Sequence, residues 1–355
     1  MRVGMVVFAN KWTGAGAVAE LNCRALLSVG VDVRLLFVGG RNLERRIDKY
    51  PWAIPGLIKE RRPTHLRSNV RAVKLLATEC DVVVCHLPHD HFLCVVAGVH
   101  QSTALVRSFR SPRHIRRDLF HHYLNRRLDG ALCANSTLES DLGQVVPDSP
   151  VVALPTPLED RFQPGDGSLW RDRLDIPPRA HVIGAVGKLA RGRGFGLFLD
   201  AVSRIEAPVH VAVVGHGELQ PELEKRARGI GLADRVHWTG YQDEELPALY
   251  SAIDVVCFTA PGSDWGHRAI SEAQGCGRPV VAISNPGVED LVEDGMNGRI
   301  VIQDASALAE AANALINDGE SARRLGESAA VAAAKRRFVP VGDRLALFLA
   351  QNFVE

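Results

Sequence analysis

Short, strongly apolar runs alternate with helix-period segments along the whole chain, and this rhythm limits what it can fold into more than any other feature. In the first half the runs are Val3–Phe8, Val31–Val38, Asp81–Cys85, Ala104–Phe109, Gly130–Ala134 and Val151–Leu154. In the second they are His181–Val186, Val209–Val214, Val236–Thr239, Asp254–Phe258, Pro279–Ala282 and Gly298–Ile302. Between them lie helical patterns such as Ala17, Leu21, Ala25 and Leu26, then Leu219–Arg228, Glu244–Ala252 and Ala305–Ile316. A continuous apolar run suits a strand buried on both faces, and parallel neighbours need a crossover helix. The alternation therefore predicts an α/β fold with parallel sheets covered on both sides.

At 355 residues the chain exceeds what one core usually serves. Between Leu154 and Gly167, three prolines (155, 157 and 164) and two glycines interrupt the rhythm. Two Rossmann-like domains facing a cleft are expected, over residues 1–157 and 158–337. Val341–Phe353 reads as a final amphipathic helix, which leaves 338–355 to pack back toward the N-terminal domain.

No apolar run is longer than a strand, so none is expected to span a membrane. The first nine residues read as a strand and not as a signal peptide. Seven scattered cysteines without a CxxC pair point to packing residues in a reducing cytoplasm. The net charge of +1 conceals an asymmetry: residues 1–150 carry 21 Lys and Arg against 13 Asp and Glu, and 151–355 carry 21 against 28. Ten basic residues lie between Arg41 and Lys74, interleaved with Trp52, Ile54, Leu57 and Ile58. That stretch is expected either to meet an anionic membrane surface or acceptor, or to be a solvated face. Few aromatics and no nucleic-acid module set nucleic acid aside as a partner.

Each half opens with a strand, a glycine-containing loop and a helix. Gly14 and Gly16 sit in the first such loop; Gly187, Lys188, Arg193 and Gly194 sit in the second. Backbone N–H groups at a helix start attract anions, and Lys188 and Arg193 add cationic donors suited to a diphosphate. Later, Asp264 and Glu272 stand eight residues apart across a loop-to-helix junction. At the carboxyl end of a parallel sheet, two such acceptors suit a polyhydroxylated ligand. The alternative is structural: Asp264 as a helix cap and Glu272 paired with Arg268.

Gly14-Ala15-Gly16-Ala17-Val18-Ala19 also fits the dinucleotide pattern G-x-G-x-x-G/A. It begins five residues after the strand, and the second strand ends in Val38-Gly39-Gly40-Arg41 with no acid for a ribose. An NADP-dependent oxidoreductase is thus a weaker rival.

Taken together, these stations resemble glycosyltransferase family 4, retaining enzymes of the two-Rossmann GT-B fold. The likeness rests on Asp264-Trp265-Gly266-His267 then Glu272-Ala273, followed by Gly277-Arg278-Pro279-Val280-Val281. Gly187-Lys188-Leu189 through Arg193-Gly194, Asp234–Gly240, Val288–Gly298 and Leu154–Phe162 follow the family in order. The resemblance implies a nucleoside-diphosphate sugar as donor substrate, with no permanently bound cofactor. A UDP-sugar is the first expectation and a GDP-sugar the second. It implies Glu272 on the donor ribose, Asp264 on the transferred sugar, and Lys188 and Arg193 on the diphosphate. Gly14, Gly16, Gly187, Val236, Gly266, His267 and Arg268 would line the donor. Where the family carries a donor-contacting histidine, this chain has Arg110, with His86, His89 and His91 as candidates to replace it. These three also resemble a metal cluster, weakly; no Asp-x-Asp motif is present, and no metal is expected. The acceptor would be a glycan, a lipid-linked or another small molecule, met in the cytoplasm or at the inner membrane face. A nucleotide-sugar-binding protein without catalysis is the alternative.

Overall fold

The computed structural model describes residues 1–9, 14–40, 43–59, 62–146, 148–260 and 267–354. They form two compact units, one of residues 1–159 and 336–354, the other of 160–260 and 267–335. The first unit starts with β1 (Arg2–Val7), α1 (Ala15–Ser28), β2 (Asp32–Val38), α2 (Glu44–Ile47) and β3 (Ala53–Leu57). It continues with α3 (Pro63–Thr78), β4 (Val82–Cys85), α4 (Pro88–Val96), β5 (Ala104–Phe109) and α5 (Leu119–Asn125). Then come β6 (Gly130–Cys133), α6 (Ser136–Gly143) and β7 (Val151–Ala153). All seven strands are parallel, in the order β3-β2-β1-β4-β5-β6-β7.

Successive side chains of a strand point to opposite faces. Val3, Met5 and Val7 of β1 accordingly enter the layer with Ala19, Cys23 and Leu26 of α1, while Val6 packs with Val73, Leu93 and Leu124 from α3, α4 and α5. Sequence reading missed β3 and left its residues on a surface. Pro55 and Gly56 hide it, since a proline is tolerated only where no ladder donor is needed, as at this sheet edge. Trp52 and Leu57 are core residues, and Trp52 stacks on Tyr50 with ring centroids 4.7 Å apart.

The second unit runs α7 (Ser168–Arg173), β8 (His181–Val186), α8 (Phe195–Val202), β9 (Val209–Val214), α9 (Gln220–Gly229) and β10 (Val236–Gly240). It goes on through α10 (Leu246–Ala252), β11 (Val255–Phe258), α11 (Arg268–Gly275), β12 (Val280–Ile283), β13 (Arg299–Val301), α12 (Ala305–Asn317) and α13 (Gly319–Ala334). Its six parallel strands are ordered β10-β9-β8-β11-β12-β13. The final helix, α14 (Phe338–Phe353), packs in the first unit. Leu345 and Leu349 join the core beside α1, and a Cβ on Gly342 would lie 2.1 Å from the Ala25 carbonyl oxygen. Arg24 lies over the Phe338 ring at 4.4 Å and pairs with Glu159 at 3.1 Å. All seven cysteines are buried and free. Among the described residues no helix is long and apolar enough to cross a membrane.

Candidate functional site

In each unit the strand order reverses once, between β1 and β4 and between β8 and β11. Crevices for ligands open at such switch points, outside the carboxyl ends of the strands. In the second unit the loop after β8 is clamped backbone to backbone against the loop after β9. Gly187 N–H donates to Val214 O at 2.9 Å, Leu189 N–H to His216 O at 3.2 Å, and Leu219 N–H to Leu189 O at 3.0 Å. Only glycine fits this contact: a Cβ on Gly215 would lie 1.9 Å from Gly187 O, and one on Gly217 2.1 Å from Leu189 O. At the start of α8, Gly194 takes φ 73°, and a Cβ there would meet Thr259 O at 2.1 Å. The clamp leaves Lys188 exposed, its Nζ 3.8 Å from Glu218 Oε2. Arg193 is half-buried; its backbone carbonyl accepts from the Thr259 hydroxyl at 3.5 Å.

Glu272 sits on α11, buried. Its Oε1 accepts from Arg268 Nε at 2.5 Å and its Oε2 from the Tyr250 hydroxyl at 3.1 Å. Burial, and then the Glu272 charge, hold the Tyr250 phenol well above its ordinary range. The Arg268 pairing weighed from spacing alone is thus present, with Tyr250 as a third member. His267, just before α11, adopts a left-handed backbone at φ 41°, an uncommon conformation for a residue other than glycine. Its Nε2 is 2.9 Å from Pro286 O, and its ring meets Phe258 edge-on at 5.1 Å. Asp264 and Gly266 lie outside the described residues.

Val236 corrects an expectation. It opens β10 at the amino end of the strand, and its side chain belongs to the core, so it lines no carboxyl-end loop. At the other end of that strand, Gly240 O accepts from Gly215 N–H at 2.8 Å. A cavity of about 590 Å³ in this unit, lined by His181, Val255, Arg278 and Pro279, also opens at the amino ends of the strands.

In the first unit Gly14 caps α1 at φ 55° and Gly16 lies within its first turn. Asp90, on α4, is fully buried and ties the loops after β1 and β4 together. It accepts from Phe8 N–H at 2.8 Å, Leu87 N–H at 2.7 Å and His86 N–H at 3.3 Å. Burial pushes its carboxyl up to about 7, against the pull of these donors and of Arg107. Next to it His86 is wholly buried, and among the described residues neither ring nitrogen has a hydrogen-bond partner. Burial, and then the Arg110 charge, lower its pKa to about 3. Arg110 directly follows β5, buried, and donates to the Thr156 hydroxyl.

The three candidate histidines do not converge. His86 faces Arg110, while His89 packs edge-on to Phe8 at 4.2 Å. His91 Nδ1 is 3.2 Å from Nη1 of the buried Arg107. Among the described residues no group of three or more His, Cys, Asp or Glu could hold a metal ion.

Three groups went unnoticed in the sequence. The Gly215-His216-Gly217-Glu218 loop had a readable signal, glycines directly after a buried strand. Asp90 also had one, an acid three residues into a helix that opens with a proline. Tyr250 had none, since its role depends on a residue 22 positions away.

Comparison with known proteins bears on the second unit most directly. Residues 180–318 match the family model described as glycosyl transferases group 1. The lipopolysaccharide core biosynthesis glycosyltransferase LpsE of Rhizobium meliloti is 33% identical over 158 residues, 44% of this chain and 46% of that protein. A D-inositol 3-phosphate glycosyltransferase of Corynebacterium urealyticum is 33% identical over 201 residues, 52% of this chain and 47% of that one. The chain thus spans about half the length of the curated relatives it matches. The crystal structure of Anabaena HepE in complex with UDP matches 99% of this chain and 100% of its own, with a TM-score of 0.86 at 19% identity. That likeness is one of fold, the two-Rossmann GT-B architecture.

Proposed function

We propose that the chain is a retaining glycosyltransferase of family 4 that moves a sugar from a UDP-sugar to a glycan, lipid-linked or other small acceptor. The observation that carries this is the glycine-clamped β8–α8 loop inside the group 1 domain. It presents Lys188 and backbone N–H groups at a switch point, where an anion gains most from them. Crystal structures of Anabaena HepE with UDP and with UDP-glucose share the fold and support the choice of donor.

In this reading Lys188 and Arg193 stabilise the diphosphate as negative charge builds on it. Such donors help most when they are stronger partners of the transition state than of the ground state. With two cations so placed, the reaction needs no metal. Glu272 takes the ribose hydroxyls, with Tyr250 and Arg268 fixing its carboxylate. His267 and Arg268 shape the start of α11, and Asp264 and Gly266 complete the donor side. Gly14 and Gly16 offer a second set of backbone donors, and Arg110 recognises the transferred sugar. The leaving phosphate accepts the acceptor's proton on the face it departs from, which gives retention without a carboxylate nucleophile.

The test incubates the full chain with UDP-, GDP-, ADP- and TDP-sugars and follows the product's anomeric proton by NMR. Release of UDP, with sugar of the donor's anomeric configuration, is expected. Binding of UDP-sugar without turnover would leave a binding protein; an inverted product would overturn the retaining mechanism. Micromolar binding of NADPH alone would favour the oxidoreductase.

A further inference from the structure

The outer face of α5 is apolar where a solvated helix should be polar. Leu119 is 89% exposed, Phe120 52% and Tyr123 52%, while the inner face buries His121, Leu124 and Asn125. Around them stand Arg113, Arg116, Arg117 and Arg126, all exposed, and Arg127, whose guanidinium lies 3.5 Å from the Tyr123 ring centroid. The one acid among them, Asp118, is occupied by His121, through its backbone N–H at 3.0 Å and its ring Nδ1 at 2.8 Å. Arg117 donates to the neutral Gln144 at 3.2 Å.

The surface extends past α5. Helices α3, α4 and α5 pack side by side on one sheet face, and α3 exposes Arg67, Arg71 and Lys74 beside Leu75, itself 63% exposed. Within the basic stretch 41–74, α3 keeps both charge and an apolar side chain outward, while Trp52 and Leu57 are committed to the core.

We infer that α5 and its flanking arginines dock the protein on an anionic lipid bilayer. Three properties select a bilayer. Leu119, Phe120 and Tyr123 are each more than half exposed on one short helix, so they suit insertion among acyl chains. Apart from Asp118, which His121 engages, the charged residues around them are arginines, complementary to phosphate headgroups. Tyr123 also carries Arg127 over its ring, and such amphipathic rings are stable at a membrane–water boundary. A crossover helix starts near the carboxyl end of the strand it follows, so docking sets the β5 end, with Arg110, toward the lipid. A lipid-anchored acceptor would meet the protein there. The inference goes beyond the transferase reading and does not need it, since binding is measured without a sugar donor.

The experiment sediments the full chain with phosphatidylglycerol–phosphatidylcholine vesicles and with phosphatidylcholine vesicles. Binding to the anionic vesicles alone is expected. The triple variant Leu119→Ser, Phe120→Ser, Tyr123→Ser should bind at least roughly tenfold more weakly. Arg116→Gln with Arg117→Gln should weaken binding and flatten its salt dependence. Circular dichroism and melting temperature identify any variant that fails to fold, and Leu119→Ser alone, at the most exposed position, then serves in its place. Donor turnover in solution should not change. Wild type that ignores anionic vesicles, or a folded triple variant that binds as well as wild type, overturns the inference. So does loss of binding confined to Arg67→Gln, Arg71→Gln, Lys74→Gln, which would move the surface to α3. Wild-type dimers that the triple variant splits, with no vesicle binding, would make the face a self-association surface instead.

Discussion

Glu272 and Lys188 are proposed for one ligand, yet they sit in opposite environments, and their variants separate binding from stability. Truncating Glu272 to alanine removes the shorter of two hydrogen bonds from the buried Tyr250 hydroxyl, leaving Ala269 O at 3.4 Å, and takes an ion-pair partner from Arg268. Loss of a buried, charge-assisted hydrogen bond costs about 1–3 kcal/mol, so Glu272→Ala should lower the melting temperature as well as activity. Glu272→Gln keeps an acceptor for Tyr250 and should recover most of that stability. Lys188 is exposed, and Lys188→Ala should change stability by no more than about 0.5 kcal/mol. Thermal melts of the three variants check this; equal melting temperatures for Glu272→Ala and Lys188→Ala would contradict the buried triad.

His86 supplies a pH dependence. Its folded pKa, near 3, lies below the ordinary 6.5 of an unfolded histidine, so the folded state binds fewer protons between those values. Its contribution is complete above about pH 6.5 and is lost as pH falls toward 3. Between pH 7 and pH 5 the loss amounts to about 2 kcal/mol. His86→Gln should remove that share of the slope in denaturant melts across the interval. An unchanged slope would mean that the imidazole is not held neutral.

At the scale of elements, the sequence was most legible where apolar runs were longest. Twelve strand segments could be read from such runs; β3 could not, because Pro55 and Gly56 break its pattern and its edge position tolerates them. The pairing of α14 with α1 depends on a contact no local pattern reports, Gly342 against the Ala25 carbonyl. A methyl group must push the two helices apart there, so Gly342→Ala should destabilise by about 1–3 kcal/mol despite alanine's better helix propensity. Urea unfolding tests it, and a stabilised variant would contradict the close approach. Within the donor loop the glycines at 187 and 194 could be read from sequence. Gly215 and Gly217, which close on Gly187 and Leu189, belong to a different crossover, and that pairing emerges only when the two loops meet.

For the molecule as a whole, the basic first half and acidic second half correspond to two separately cored sheets with the same single reversal of strand order. That repetition was visible in the sequence as a repeated rhythm, whereas strand order was not, since register and crossover direction are tertiary. Of the donor residues expected in the second half, Gly187, Lys188 and Arg193 follow the carboxyl end of β8, and His267, Arg268 and Glu272 lie at or in α11, whereas Val236 opens β10 at its amino end; the family resemblance named its segment without saying which end of the strand meets the ligand. The central claim is that the glycine-clamped loop after β8 binds the diphosphate of a nucleotide-sugar. Calorimetric titration of UDP into wild type and Lys188→Ala tests it most directly. Micromolar binding to wild type, weakened roughly tenfold or more in the variant, is the predicted result. Equal affinity in the two, or no binding of UDP to wild type, would contradict it.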